Sequence, residues 1–284
     1  MDLPLVLVIA IPLILLLLVF LLIALIRQRR LIKKLQELTK SLEESKKQII
    51  QEQEHNRQLK QEMTNNIAHE LKTPVTSIRG YLEILLGDRP VDEQKRDFFL
   101  KRCYSQTLRL SDLINDVSLI NKLEESSELF PKSPVSICDI ANEAIVELEE
   151  SCQSHNISVF NNLPSPMMIE GNHSLVYGIF RNLLENVIAY AGDGVSAVIE
   201  CYRKDDEHYY IHFYDNGKGV DNKYIPKLFD RFLRIDEGRS RKTGGTGLGL
   251  SIVKHAVLFH GGDIYVRNRD EKGLEFFFSL KKKV

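Results

Sequence analysis

The stretch RSRKTGGTGLGLSIVKH, Arg239–His255, sets Gly244, Gly245, Gly247 and Gly249 directly ahead of an apolar helical run. A glycine-rich turn at a helix N-terminus presents backbone N–H groups to phosphates. A flexible linker would not run straight into an apolar helix. The spacing differs from GxxxxGK[ST], and no βαβ unit leads into it, so neither a P-loop nor a dinucleotide fold fits. Arg239, Arg241 and Lys242 lie just upstream, where cations can approach a γ-phosphate.

Two other stretches fit such a ligand. RNLLENVIAYA puts Asn182, Glu185 and Asn186 on one helix, with the two asparagines four apart and therefore on one face. Amide oxygens facing a cleft can hold a Mg²⁺ that keeps waters and bridges phosphates. YDNGKGVD puts Asp215 at a strand end, where it can accept a hydrogen bond from an adenine amino group. Gly217 and Gly219 then let the backbone come close to the ligand. Taken singly, these are also a pair of surface asparagines and a common turn.

Around these motifs the pattern is mixed. Strands are expected near 135–137, 157–161, 195–202, 209–214, 263–268 and 275–280, and helices near 139–153, 174–191 and 248–260. They do not alternate regularly, so an α+β sandwich is expected over 131–284 rather than a doubly wound sheet. FPKSP, Phe130–Pro134, reads as the linker ahead of it.

Upstream, NNIAHELKTPVTSIRG (Asn65–Gly80) places His69, Glu70 and Thr73 together on a polar helix face ahead of Pro74. No metal-ligand spacing accompanies the histidine. The helix is expected to run to about Leu86, with Pro74 a kink point, and to turn at Gly87–Pro90. A second amphipathic helix follows over about 92–123. The pair forms a hairpin over 61–126, and two hairpins would bury their apolar faces in a dimeric four-helix bundle.

Through the linker over 27–60 and just past it, Leu31, Leu35, Leu38, Leu42, Ser45, Ile49, Glu52, Asn56, Leu59 and Met63 repeat in steps of four and three. That is a heptad seam with polar interruptions, expected to pair weakly and in parallel. Leu3–Ile26 carries no charge and exceeds the roughly 20 residues of a spanning helix. Arg27, Arg29, Arg30, Lys33 and Lys34 follow it, which orients the C-terminal side toward the cytoplasm. The expectation is a single-pass protein of the cell membrane over residues 1–26, with no outer sensor domain and a cytoplasmic catalytic part. Net charge is −1, so no basic field argues for nucleic acid. The four cysteines form no CxxC pair, as suits reduced thiols.

In this order the motifs resemble those of sensor histidine kinases. HELKTP resembles the phospho-acceptor box, and PKLFDRFLR, Pro226–Arg234, the phenylalanine box between two glycine boxes. The resemblance covers about 61–284. It implies that His69 is the phospho-acceptor, that Glu70 is the base orienting its ring, and that Thr73 serves removal of phosphate from the partner regulator. For Thr73, packing or a hydroxyl bonded back to the His69 carbonyl remains an alternative. The resemblance further implies ATP and Mg²⁺ as cofactors. Asn182 and Asn186 would hold Mg²⁺–phosphate, Asn186 as metal ligand, and Asp215 adenine. Gly217 and Gly219 match the first glycine box and Gly245, Gly247 and Gly249 the second, with Tyr190, Arg234 and Lys242 as further nucleotide contacts. Ala189 departs from the family, which often has a lysine there. Implied partners are a second copy and a cognate response regulator, with a membrane partner as a source of the signal.

A neutral imidazole can attack the γ-phosphoryl of ATP, and the P–N bond formed can pass its phosphoryl to an aspartate. A non-catalytic ATP-binding scaffold leaves the grouping of His69, Glu70 and Thr73 without a purpose. A serine-directed relative would lack the histidine hairpin. Acid lability of the phosphoprotein separates histidine from serine chemistry.

Overall fold

The computed structural model describes residues 3–87, 90–125, 129–235 and 245–282, the side chains of 3–14, 24, 55, 56 and 59 excepted. Contacts divide the chain into two compact units, Met1–Asn65 and Asn66–Val284. The first unit is helical throughout its described length, as the N-terminal part of α1 (Leu3–Leu86). Leu31, Leu35, Leu38, Leu42 and Ile49 of the seam are exposed, and Met63 is half-buried. Among the described residues no helix is long and apolar enough to cross a membrane. Much of the expected span lies outside the described side chains.

The second unit opens with the hairpin of α1 and α2 (Glu93–Glu125). Pro74 is buried within a continuous helix rather than ending it. Tyr81 stacks on Phe99 with centroids 5.5 Å apart, and the Cys103 thiol reaches the Ile78 carbonyl at 3.8 Å. Leu113 and Ile120 on α2 are buried.

The rest is a two-layer α+β sandwich. The strands are β1 (Ser133–Ser136), β2 (Ser158–Asn162), β3 (Met168–Gly171), β4 (Ser196–Lys204), β5 (His208–Asp215), β6 (Ile264–Asn268) and β7 (Leu274–Lys281). The helices are α3 (Ile137–Glu147), α4 (Glu149–Ser154), α5 (His173–Asn186) and α6 (Gly249–Phe259). The main sheet has the order β2-β4-β5-β7-β6, with only β2–β4 parallel. In β5, Ile211, Phe213 and Asp215 are buried and alternate with His212 and Tyr214. This is the period-2 signature of a strand with one face on a core. That face meets α3, α5 and α6 in a single cluster that includes Ile140, Phe180, Leu183, Val253 and Phe278.

Three elements differ from the sequence reading. The helix expected over 139–153 breaks at Leu148, which is nearly buried. The helix expected to reach Ala191 becomes a π-helical turn over Val187–Ala191. β3, four residues pairing with β1, was not anticipated.

His260, at the end of α6, locks two elements together. It is fully buried, with Nδ1 2.7 Å from the Ala256 carbonyl and Nε2 accepting from the Asn172 N–H at 3.0 Å. Asn172 in turn caps α5, its Oδ1 accepting from the Leu175 N–H. The ring is therefore held as the neutral Nδ1–H tautomer. Burial depresses its pKa, the bond to Ala256 opposes this, and Lys132 adds to the depression. A depressed folded pKa means that the unfolded chain takes up the proton first. The stabilisation is complete above the unfolded value of about 6.5 and is lost as pH falls from there through the folded pKa. We expect the urea midpoint of the wild type to drop as pH is lowered from about 7 to 5. In His260→Leu, which leaves the Asn172 N–H unpaired, we expect a loss of about 2 kcal/mol at pH 7.5 and a flatter pH dependence.

Candidate functional site

Asp215 ends β5 and is 5% exposed. Its Oδ1 accepts the Gly217 N–H at 2.7 Å and its Oδ2 the Leu274 N–H at 3.4 Å. Burial raises its pKa, against the lowering effect of those two N–H groups and of Arg269. Arg269 also donates to the Asp215 carbonyl at 3.3 Å.

The first glycine box is built by close approach. A Cβ on Gly217 would lie 2.6 Å from the Cβ of Ala191 and 2.7 Å from its carbonyl oxygen, and the Lys218 N–H donates to that same carbonyl. Only glycine lets this turn seat against the π-helical turn. That turn ends α5 beside its two asparagines, a placement typical of functional sites. Gly219 follows with φ of 67°.

Asn182 and Asn186 share a face of α5, as expected. Each donates its Nδ2 to the carbonyl one turn earlier, Asn182 to Gly178 at 2.7 Å and Asn186 to Asn182 at 2.8 Å. The amide oxygens are thereby turned off the helix, as hard-cation ligation requires. The second glycine box comes up to the same face: a Cβ on Gly249 would meet the Asn182 Oδ1 at 2.5 Å. A Cβ on Gly245 would lie 3.3 Å from the Tyr190 hydroxyl. Gly247 has φ of 74°, and its carbonyl accepts the Phe232 N–H at 2.8 Å. Glu185 faces elsewhere, paired with Arg181 at 2.7 Å, and burial raises its pKa. Arg239, Arg241 and Lys242 lie outside the described residues.

His69 and Thr73 are exposed on α1, and the Thr73 hydroxyl donates to the His69 carbonyl at 3.2 Å. Glu70 does not serve the His69 ring in this conformation. Its Oε2 accepts Arg234 Nη2 at 2.7 Å and Arg109 Nη2 at 3.4 Å. Arg234 also donates to the Gly245 carbonyl at 2.6 Å. Close by, Thr246 donates to Asp116 at 2.8 Å, and Arg231 pairs with Glu124. Burial raises the Asp116 pKa, against the lowering effect of the Thr246 bond. Glu70 and Arg234 stand out in the sequence, whereas Arg109 and Asp116 do not. A basic and an acidic residue on an amphipathic helix look like ordinary solvated positions, and nothing in their spacing marks them.

Residues 59–126 match the family model described as the His Kinase A (phospho-acceptor) domain. Residues 171–284 match that of the histidine kinase-, DNA gyrase B- and HSP90-like ATPases. The chain belongs to the sensor histidine kinases of two-component systems. It is 32% identical over 236 residues to the sensor histidine kinase WalK of Bacillus subtilis (strain 168), covering 82% of this chain and 38% of WalK. It is 33% identical over 224 residues to the phosphate regulon sensor protein PhoR of Pseudomonas aeruginosa, covering 77% of this chain and 49% of PhoR. This histidine kinase chain thus spans half or less of the length of those curated relatives. Its fold is shared with the Acinetobacter baumannii histidine kinase AdeS at a TM-score of 0.61. There the identity is 20%, over 75% of this chain and 98% of that one. The histidine kinase ThkA, solved in complex with the response regulator protein TrrA, gives 0.60 at 22% identity, over 78% of this chain and 61% of that one.

Packing at the first glycine box gives a direct test. Gly217→Ala must push Ala191, backbone included, and we expect it to cost about 2 kcal/mol, as overpacked cores do. The urea midpoint measures this. Gly80→Ala, where nothing lies within 4 Å of the new Cβ, should leave stability unchanged or slightly raised.

Proposed function

We propose that this protein phosphorylates itself on His69 from ATP and passes the phosphoryl group to an aspartate of a cognate response regulator. One contact carries the reading. Arg234, beside the second glycine box, reaches Glu70, the neighbour of His69, within one compact unit. The phospho-acceptor helix and the nucleotide motifs are thus close enough to serve one reaction.

In the proposed reaction Asp215, Gly217 and Gly219 hold the adenine end. Tyr190, Gly245, Gly247, Gly249, Arg234 and Lys242 hold the phosphates. Asn182 and Asn186 would present amide oxygens to the Mg²⁺–phosphate group, with Asn186 as the metal ligand. The ion, when bound, neutralises charge on the phosphates. A ring nitrogen of His69 forms the P–N bond as the bond from γ-phosphorus to the β-phosphate oxygen breaks and ADP leaves. Glu70 accepts a hydrogen bond from the other ring nitrogen, fixing its tautomer and steadying the positive charge that grows on the ring.

The larger arrangement is inferred from the sequence. Residues 1–26 form a single membrane pass and 27–60 a parallel coiled coil. Residues 61–126 form the dimerisation and phosphotransfer hairpin, and 131–284 the ATP-binding domain on the cytoplasmic side. The exposed leucines of the seam support a homodimer. The signal enters at the membrane segment, from a membrane partner, the bilayer itself or a ligand within the membrane.

We expect His69→Gln to abolish autophosphorylation while an ATP analogue binds within about twofold of wild type, because histidine and nucleotide residues lie on separate elements. Incorporation of label at the wild-type rate would defeat the assignment.

Thr73 lies one turn beyond His69, and its hydroxyl could aim a water at the aspartyl phosphate of the regulator. In this conformation it is bonded back to the His69 carbonyl, so the phosphatase role requires that bond to break. We expect Thr73→Ala to slow decay of phosphorylated regulator about tenfold while autophosphorylation stays within about threefold. Equal decay rates would leave Thr73 a helix-surface residue.

A further inference from the structure

Among the described residues, the Glu70 carboxylate takes contacts from two guanidinium groups. Arg109, Glu70 and Arg234 are 13%, 17% and 13% exposed, and both arginines bond the same oxygen, Oε2. The two cations belong to different bodies. Arg109 sits on α2, in the hairpin that carries Glu70. Arg234 sits in the ATP-binding domain, where it also holds the Gly245 carbonyl. Under the proposed function, on which this inference rests, Arg234 has a second anion to serve, the phosphates of the nucleotide. Both of its bonds here leave from Nη2, one to Glu70 and one to the Gly245 carbonyl, so turning that nitrogen to the phosphates gives up Glu70.

A mostly buried carboxylate that loses its partner is strongly destabilising. Arg109 removes that difficulty. It is fixed to the same hairpin as Glu70, so it stays within reach when the ATP-binding domain shifts; here it makes one Nη2 contact at 3.4 Å, and once Arg234 leaves Oε2 its planar donor fork can close on both carboxylate oxygens. From this geometry we infer that Arg109 is the positioning residue of the phospho-acceptor centre. It anchors Glu70 on the hairpin while Arg234 changes over from Glu70 to nucleotide. Two consequences follow. The contact seen here between Arg234 and Glu70 is a resting hold that nucleotide must release. Once released, Glu70 remains aimed because Arg109 still holds it.

The experiment is single-turnover autophosphorylation of the full chain in detergent or nanodiscs, with ATP varied. A misaimed Glu70 affects the chemical step, so Arg109→Gln should lower kcat about 100-fold and leave the KM for ATP within about twofold. Arg109→Lys keeps a cation on Glu70 without the fork and should recover at least about tenfold of that loss. Unchanged kcat in a dimeric Arg109→Gln protein overturns the inference, as does a loss carried by KM. If Arg109→Gln fails to fold, Arg109→Lys decides, since a folded Lys variant slowed about 100-fold is also contradictory. Glu70→Gln is run alongside. A slow Glu70→Gln beside a normal Arg109→Gln overturns the role of Arg109 alone. A normal Glu70→Gln overturns the reading of Glu70 on which it rests.

Discussion

The bond between Glu70 and Arg234 is the contact on which the site depends. It ties the helix that carries His69 to the segment that carries the second glycine box, and through the Gly245 carbonyl it fixes where that box begins. Thr246 on Asp116 and Arg231 on Glu124 extend the same seam along α2.

The sandwich presents its polar residues by rigid means. Phe213 and Ile211 bury one face of β5, and the strand delivers Asp215 to its end, where backbone N–H groups at 217 and 274 hold the carboxylate. The core face of α5 packs Ile179, Phe180 and Leu183, with Asn182 and Asn186 half-buried along its edge. Two missing side chains, at Gly217 and Gly249, set how near the loops come to the π-helical turn and to Asn182. His260 then joins the end of α6 to the cap of α5, which ties the two helices together.

Much of this was legible in the sequence, for identifiable reasons. The long helix, the hairpin and six of the strands announce themselves through apolar periodicity, and the glycine boxes through spacing. β3 has only four residues and takes its stability from β1, so no local pattern marks it. The π-helical turn continues a helical pattern, and its altered winding arises where Gly217 packs on Ala191. The partners of Glu70 were also illegible. Ion pairs between residues separated by 39 and 164 positions depend on how two domains meet, which periodicity does not encode. The resemblance implied a bond between Glu70 and His69, and packing gave the carboxylate to arginine.

The central claim is that His69 takes the phosphoryl group of ATP. The direct measurement is to incubate the purified protein with γ-labelled ATP and Mg²⁺, then map the label and its stability. The account predicts label on the peptide that contains His69, lost in acid and retained in alkali, and chased onto a response regulator as an aspartyl phosphate. Acid-stable label on a serine or threonine, or ATP binding with no label on the protein at all, would contradict it.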